Sequence, residues 1–192
     1  AFINLYQATF EEKWLNKANE LTAYAVDHFA DEKSGMFFYT HDQHSNLISR
    51  KMEVADNVIP ASNSEMAKNL IFLGHYFYNQ KYLDMGSQMM TNVQQDVHQN
   101  IYFYSNWSIV EAHLTKEPYE VAIVGDDFQS LRKEIDQNYL PDVLLMGGDR
   151  EGGLELLEGK LMKGQTMIYV CQNKTCNMPV TTIKDAIEQL DR

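Results

Sequence analysis

Apolar residues recur every three or four positions through most of the first 115 residues, which is the period of amphipathic helices. The first stripe predicts a helix ending near residues 29–31, and further helices are predicted from Ser62 to Phe77, over 82–97 and over 105–114. That first stripe consists of Phe10, Trp14, Ala18, Leu21, Ala25 and Phe29. Residues 36–50 are predicted to form two short extended pieces around a turn.

The start of the second predicted helix carries a Ser-x-x-Glu pattern, formed by Ser62 and Glu65. In a capping box, such a hydroxyl and carboxylate each accept a hydrogen bond from a backbone N–H that the helix leaves unpaired. We therefore expect Ser62 to cap this helix.

Beyond residues 116–118 the pattern changes to short apolar or β-branched runs bounded by turn residues, over 120–125, 142–147 and 166–171. Helices are predicted over Phe128–Tyr139 and Thr181–Leu190. The sequence thus predicts an α+β protein: a helical part over residues 1–117, followed over 118–192 by a small, mostly parallel three-stranded α/β unit.

The charge composition of the chain argues against some classes of binding partner. Among 192 residues, 16 basic side chains stand against 27 acidic ones, and the formal net charge of −11 argues against binding to nucleic acid or an anionic membrane. No apolar run approaches the roughly 20 residues of a membrane span. Two cysteines are too few for a disulfide scaffold, which favours a cytoplasmic location. Because the chain opens without Met or a basic leader, we expect it to be a piece of a longer protein.

The densest polar segment runs from residue 50 to 64, directly before the second predicted helix. Two carboxylates beside a cation are typical of acid/base sites, and amides and hydroxyls at a helix start can orient a polyhydroxylated ligand. The alternative is a surface ion pair with a helix cap. The predicted catalytic residues are Arg50, Glu53 and Asp56, and the predicted substrate-binding residues are Asn57, Asn63 and Ser64.

Other motifs predict neither a metal site nor a cofactor. His41 and His44 form a His-x-x-His pair in a turn-like stretch that lacks a third ligand. Cys171 and Cys176 are too far apart for a redox Cys-x-x-Cys, so two reduced thiols are favoured, with a disulfide or a metal left open. The glycine-rich residues 147–153 carry acids and lack the Gly-Lys-Ser/Thr ending of a phosphate loop.

Three stretches resemble the large thioredoxin-domain-containing proteins related to spermatogenesis-associated protein 20. Residues 50–64 are similar to that family's Arg-x-Lys-Glu-x-x-Asp-x-x-x-Pro-Ser-Gly-Asn-Ser, and residues 120–125 and 169–179 match in order and spacing. The chain departs from the pattern at Met52, where the family tends to have Lys, and at Ala61-Ser62, where it has Ser-Gly.

The resemblance implies a longer parent with an N-terminal thioredoxin-like domain and an (α/α)6 toroid like those of N-acylglucosamine 2-epimerases and six-hairpin glycosidases. The helical part would then supply the last hairpins of the toroid, with Arg50, Glu53, Asp56 and Asn63 facing a central funnel. The first functional hypothesis is carbohydrate processing by epimerase-like or glycosidase-like acid/base chemistry on a small sugar ligand. The second is a non-enzymatic binding or regulatory module. We also expect the exposed half-funnel to contact the rest of the parent chain or to self-associate.

Overall fold

The computed structural model describes residues 1–43 and 49–190. The chain divides into two compact units, an α/β unit of Ala1–Asn16 with Glu117–Arg192 and a helical unit of Lys17–Lys116. The helices are α1 (Phe2–Thr9), α2 (Glu12–Phe29), α3 (Ser62–Tyr76), α4 (Gln80–Gln99), α5 (Ser105–Thr115), α6 (Phe128–Ile135) and α7 (Ile183–Glu188). The strands are β1 (Tyr119–Val124), β2 (Val143–Gly148), β3 (Met167–Gln172) and β4 (Thr175–Cys176). Within the described residues, none of the helices has both the length and the apolar character that crossing a membrane requires.

Helices α3 and α4 form the centre of the helical unit, and α5 packs against both. Their connection is only three residues long, and the side chain of Asn79 caps α4 by accepting a hydrogen bond from the Tyr82 N–H. Gly86 allows close approach, because a Cβ there would lie 2.7 Å from the Ile71 side chain. A short 3-10 turn, Ile101–Phe103, leads into α5.

The first apolar stripe does not form one helix from Phe10 onwards. Phe10 has a left-handed backbone with φ of 57°, which ends α1, and α2 begins at Glu12. The side chain of Phe10 is buried and belongs to the core of the α/β unit. Phe10 therefore fits the helical spacing only by coincidence. Its side chain is buried, but its backbone ends one helix and does not continue into the next.

The capping-box prediction for α3 is wrong, although the predicted start of the helix is confirmed. Ala61 occupies the cap position without a side-chain hydrogen bond, and Ser62 lies inside the first turn. The Glu65 carboxylate instead accepts hydrogen bonds from Lys68 and Asn106. At the start of α3, the Ala61 N–H donates to the Asp56 carboxylate and the Ser62 N–H to the Glu53 carboxylate, both earlier in the chain.

The sheet of the α/β unit has four strands in the order β2-β1-β3-β4. Only β1 and β2 are parallel, and both other pairs are antiparallel, so the predicted mostly parallel three-stranded sheet is wrong. Helix α6 supplies the crossover that a parallel pair needs. Between β2 and β3 the chain forms a 3-10 turn over Glu155–Leu157 and returns antiparallel.

Every residue of β1 and β2 is buried, and apolar side chains of the sheet pack against α6, α7 and Phe10. At the end of β2 the backbones approach so closely that a Cβ on Gly147 would lie 1.9 Å from the Ile123 carbonyl oxygen. Gly147 also has a φ of 144°, which L side chains rarely adopt. This position accepts glycine alone.

Cys171 and Cys176 form a disulfide, so the favoured prediction of two reduced thiols is wrong. The residues lie opposite each other in the antiparallel pair of β3 and β4. Asn173 and Lys174, both with positive φ, form the two-residue turn between the strands. The sequence spacing alone gives no register, whereas the tight hairpin aligns the two cysteines.

Candidate functional site

Asp56 is a buried carboxylate whose two oxygens are both occupied. Oδ1 accepts hydrogen bonds from the Ala61 N–H at 2.8 Å and from the Ser64 hydroxyl at 2.7 Å. Oδ2 accepts one from the Asn106 N–H at 2.8 Å. A carboxylate at a helix N-terminus is stabilised by unpaired N–H groups and by the helix dipole. Asp56 therefore joins the beginnings of α3 and α5.

Ser64 and Asn106 extend this contact into a buried network. The Asn106 amide donates to the Ser64 hydroxyl at 2.9 Å and accepts from the Lys68 ammonium at 2.9 Å. Lys68 also pairs with Glu65 at 2.6 Å. Ser64 thus positions groups of the protein itself, which differs from the predicted role of orienting a substrate hydroxyl.

Asn63 is fully buried, and its side-chain amide pairs with the backbone of Phe37 as a neighbouring strand would. Its Oδ1 accepts from the Phe37 N–H at 2.7 Å, and its Nδ2 donates to the Phe37 carbonyl at 2.9 Å. The same Nδ2 lies 2.9 Å from the Glu53 carbonyl oxygen. One amide therefore ties the loop after α2 and the segment around residue 53 to the start of α3. We call Asp56, Asn63, Ser64 and Asn106 the polar brace.

Glu53 is exposed, in contrast to Asp56. Its Oε2 accepts a hydrogen bond from the Ser62 N–H at 3.2 Å, so this carboxylate also serves the N-terminus of α3. Within residues 1–43 and 49–190, its other oxygen makes no hydrogen bond, which leaves one oxygen open to solvent. Glu53 and Asp56 thus occupy different environments at the same helix end.

Arg50 does not pair with either acid within the described part of the chain. Its guanidinium donates to the Thr40 carbonyl, through Nε at 3.1 Å and through Nη2, and to the His28 carbonyl at 3.2 Å. The same group lies over the Phe38 ring, 4.0 Å from its centroid. The structure therefore separates Arg50 from the polar brace and uses it to hold the loop that follows α2.

Asn57 is exposed and begins a loop of exposed apolar residues. Val58 and Ile59 are 95% and 70% exposed, and Tyr102 in the turn before α5 is 92% exposed. The Asp56 N–H donates to the Phe103 carbonyl at 2.7 Å, which joins the two loops. Asp56 of the polar brace therefore directly precedes one apolar loop and is hydrogen-bonded to the other.

Sequence reasoning missed Asn106 and Trp107, at the start of α5. The indole N–H of the fully buried Trp107 donates to the Val54 carbonyl at 2.8 Å. Polar or amphipathic side chains in the first turn of a predicted helix were the available signal. Nothing in the sequence indicates that their partners lie about 50 residues earlier.

A second cluster lies where the chain reverses after α2. Asp31 accepts hydrogen bonds from the Ser34 hydroxyl at 2.7 Å and from the Ser34 N–H, and chiefly the hydroxyl lowers the pKa of Asp31. The His41 ring lies beside His28, with ring centroids 4.5 Å apart, and Asp42 lies close to both. His44, the other half of the His-x-x-His pattern, lies outside the described residues.

No model of a known protein family matches the chain. The chain is 23% identical over 191 residues to spermatogenesis-associated protein 20 of Homo sapiens and 22% identical over 191 residues to that of Mus musculus. Each alignment covers 93% of this chain but 24% of the relative, so the chain spans about a quarter of the length of the curated relatives it matches. This weak similarity supports a distant link, at the level of the family, to spermatogenesis-associated protein 20.

Proposed function

We propose that the chain is a non-catalytic binding module and that the polar brace fixes the shape of its binding face. The observation that carries the proposal is the complete occupation of Asp56, whose two oxygens accept three hydrogen bonds from protein groups. A general acid or base needs a carboxyl oxygen within hydrogen-bond reach of its substrate. Asp56 has neither a free oxygen nor appreciable exposure, since it is only 4% exposed.

The binding face in this proposal consists of the two apolar loops, residues 57–60 and 101–103. Their large side chains are exposed although the backbone beneath them is hydrogen-bonded, as the link from Asp56 to the Phe103 carbonyl illustrates. Exposed apolar patches on a well-ordered surface are typical of interaction sites. The expected self-association, or contact with another part of a longer parent chain, would use this face.

Carbohydrate processing is the second candidate, and Glu53 is the observation that favours it. This acid is exposed, and one of its oxygens makes no hydrogen bond in the described residues. Glu53 would act as acid or base, without Arg50 as its electrostatic partner. The (α/α)6 toroid belongs to this candidate, and the antiparallel hairpin of α3 and α4 with its three-residue connection is compatible with it.

A thermal-shift screen of the protein against mono- and disaccharides separates the two candidates. A ligand at about 100 times its dissociation constant should stabilise the protein by roughly 2.7 kcal/mol. The screen is repeated with Glu53→Gln and with Tyr102→Ala, which alters the apolar face and leaves the polar brace intact. The binding module predicts that any sugar shift is lost in Tyr102→Ala and kept in Glu53→Gln.

The opposite result, a shift that Glu53→Gln alone removes together with turnover of the sugar, would contradict the non-catalytic proposal and support carbohydrate processing. If no sugar shifts the protein, light scattering tests the face as a protein contact. The proposal then expects concentration-dependent association that Tyr102→Ala weakens.

A further inference from the structure

We propose that His28, His41 and Asp42 form a binding site for a divalent transition-metal ion of the zinc class. The potential ligand atoms of these three side chains all lie within 4.8 Å of one another. Two imidazoles with one carboxylate are a ligand set that such ions prefer, whereas Mg²⁺ and Ca²⁺ prefer oxygen ligands. The site is separate from the polar brace and does not depend on the proposed function.

The distances between the donor atoms suit one shared ion. Asp42 Oδ1 lies 2.8 Å from His41 Nδ1 and 3.4 Å from His28 Nδ1. Ligand atoms bound to a tetrahedral zinc ion at about 2.0–2.1 Å lie about 3.3 Å from each other. The two distances from the carboxylate are thus close to the separation that a shared ion requires, and all three ligand atoms lie within 4.8 Å of one another.

The imidazole nitrogens of His28 and His41 lie close to the Asp42 carboxylate, an arrangement that a cation would stabilise. His28 Nδ1 is enclosed by protein, and among the described residues it makes no hydrogen bond; the 3.4 Å contact with Asp42 lacks hydrogen-bond geometry. The Gln43 N–H points at His41 Nδ1 at 3.1 Å, which makes that nitrogen an acceptor. His28 Nδ1 and the Asp42 carboxylate make no hydrogen bond to each other, and a metal ion or a proton between them would stabilise both groups. The experiment below distinguishes these two occupants.

Supporting groups hold the ligands in the manner of a metal site. His41 Nε2 lies 2.9 Å from the Tyr24 hydroxyl, and a ligating histidine commonly uses its second nitrogen for such a contact. Arg50 bonds to the carbonyls of His28 and Thr40, and the Asp42 N–H donates to the His28 carbonyl at 3.1 Å. The backbone on both sides of the site is therefore fixed by contacts that do not use the ligand atoms.

One rearrangement accompanies binding. The two imidazole rings are stacked, with an interplanar angle of 19°, whereas an ion must lie near the plane of each ring that ligates it. His41 lies in the loop after α2, so its ring can turn out of the stack while His28 remains on the helix. Metal binding should thus change the environment of His41 more than that of His28.

The test is calorimetric titration of the protein with Zn²⁺ after treatment with a chelator, alongside Co²⁺ for its visible spectrum and Mg²⁺ for comparison. We expect one Zn²⁺ per chain and absorption bands of nitrogen-ligated Co²⁺, with no comparable binding of Mg²⁺. His28→Ala and His41→Ala should each weaken Zn²⁺ by more than the roughly 10- to 100-fold that loss of a supporting group costs. Tyr24→Phe should weaken it about tenfold.

Two matched controls and one conservative variant identify the site. His98→Ala removes another imidazole of the helical unit, which pairs with the single carboxylate of Glu111 at 2.8 Å, and should leave Zn²⁺ affinity unchanged. His44→Ala separates this triad from the His-x-x-His pattern of the sequence. Asp42→Asn keeps the size of an exposed side chain and guards against loss of fold, which circular dichroism also checks. Three results would overturn the proposal. The first is Zn²⁺ affinity that is retained in Asp42→Asn and His28→Ala, and the second is affinity that is lost in His44→Ala alone. The third is that the protein binds no Zn²⁺ and the imidazoles are protonated instead.

Discussion

The helical unit and the α/β unit satisfy their buried backbone groups by different means. In the helical unit, the loops around α3 are joined by side chains, with Asp56 and Asn63 supplying the partners for N–H and carbonyl groups. In the α/β unit, strands β1, β2 and β3 supply each other's partners through a regular ladder. The core around that ladder is apolar.

This difference predicts which kind of substitution destabilises each unit most. A ladder distributes stability over many equivalent bonds, so it is damaged mainly by changes that push strands apart. A buried polar network depends on single atoms, because one missing acceptor leaves several N–H groups unsatisfied at once. Steric changes should therefore act most strongly on the sheet, and loss of one carboxylate should act most strongly on the helical unit.

Gly147→Ala should have the largest effect. The new Cβ would lie 1.9 Å from the Ile123 carbonyl oxygen on a backbone with φ of 144°, so β2 must move away from β1. We expect a loss of about 3–5 kcal/mol in the free energy of unfolding, from overpacking together with backbone strain. Urea denaturation measures the loss, and hydrogen exchange should place it in β1 and β2.

The matched control is Gly159→Ala, where φ is 70° and no atom lies within 4 Å of the new Cβ. Strain alone should cost about 1–2 kcal/mol there. Equal losses in both variants would mean that close strand contact does not limit the sheet.

Asp56→Ala should have the second-largest effect. We expect a loss of about 3 kcal/mol in the free energy of unfolding, because three donors lose a buried charged acceptor. Hydrogen exchange should accelerate at the beginnings of α3 and α5 and remain unchanged in the strands. Asp84→Ala removes an exposed acid of α4 and should change stability by less than about 0.5 kcal/mol. Unfolding that begins in the sheet of Asp56→Ala would contradict the division between the two units.

The contrast between the units also explains what the sequence could predict. The apolar runs that became β1, β2 and β3 and the stripes that became α3, α4 and α5 are local patterns, and the structure confirms all six elements. Strand direction is not local. It follows from what connects the strands, and only the β1 to β2 connection contains a crossover helix.

For the candidate site, the sequence predicted residues but not the partners that the structure gives them. The capping role of Asp56 was the alternative considered for an Arg-x-x-Glu-x-x-Asp pattern, whereas its link to Asn106 spans 50 residues and leaves no sequence signal. Arg50 stood three residues from Glu53, and its guanidinium instead bonds to the Thr40 and His28 carbonyls. Spacing indicates proximity only where the backbone conformation is known.

Removing the disulfide by the double change Cys171→Ala and Cys176→Ala should cost less than the loss of Asp56. The bond closes a short loop with a sequence separation of 5, for which the chain-entropy argument gives about 2 kcal/mol. The effect should be confined to β3 and β4, leaving the helical unit unchanged. Reduction of the unmodified protein should reproduce the loss, and identical denaturation curves with and without reductant would show that the bond contributes nothing.

Glu53→Gln should have the smallest effect and sharpens the comparison within a single helix end. Glu53 and Asp56 both accept hydrogen bonds at the start of α3, but Glu53 is exposed and serves one N–H, whereas Asp56 is buried and serves three donors. Glutamine keeps the acceptor and loses only the interaction of a charge with the helix dipole, so we expect a loss of at most about 1 kcal/mol in the free energy of unfolding.

Because water and ions screen an exposed charge, the loss in Glu53→Gln should vanish at high ionic strength, while the loss in Asp56→Ala should persist. Denaturation of both variants at low and high salt measures this difference. A salt-independent loss in Glu53→Gln as large as that of Asp56→Ala would place Glu53 inside the polar brace and leave no exposed carboxylate there for catalysis.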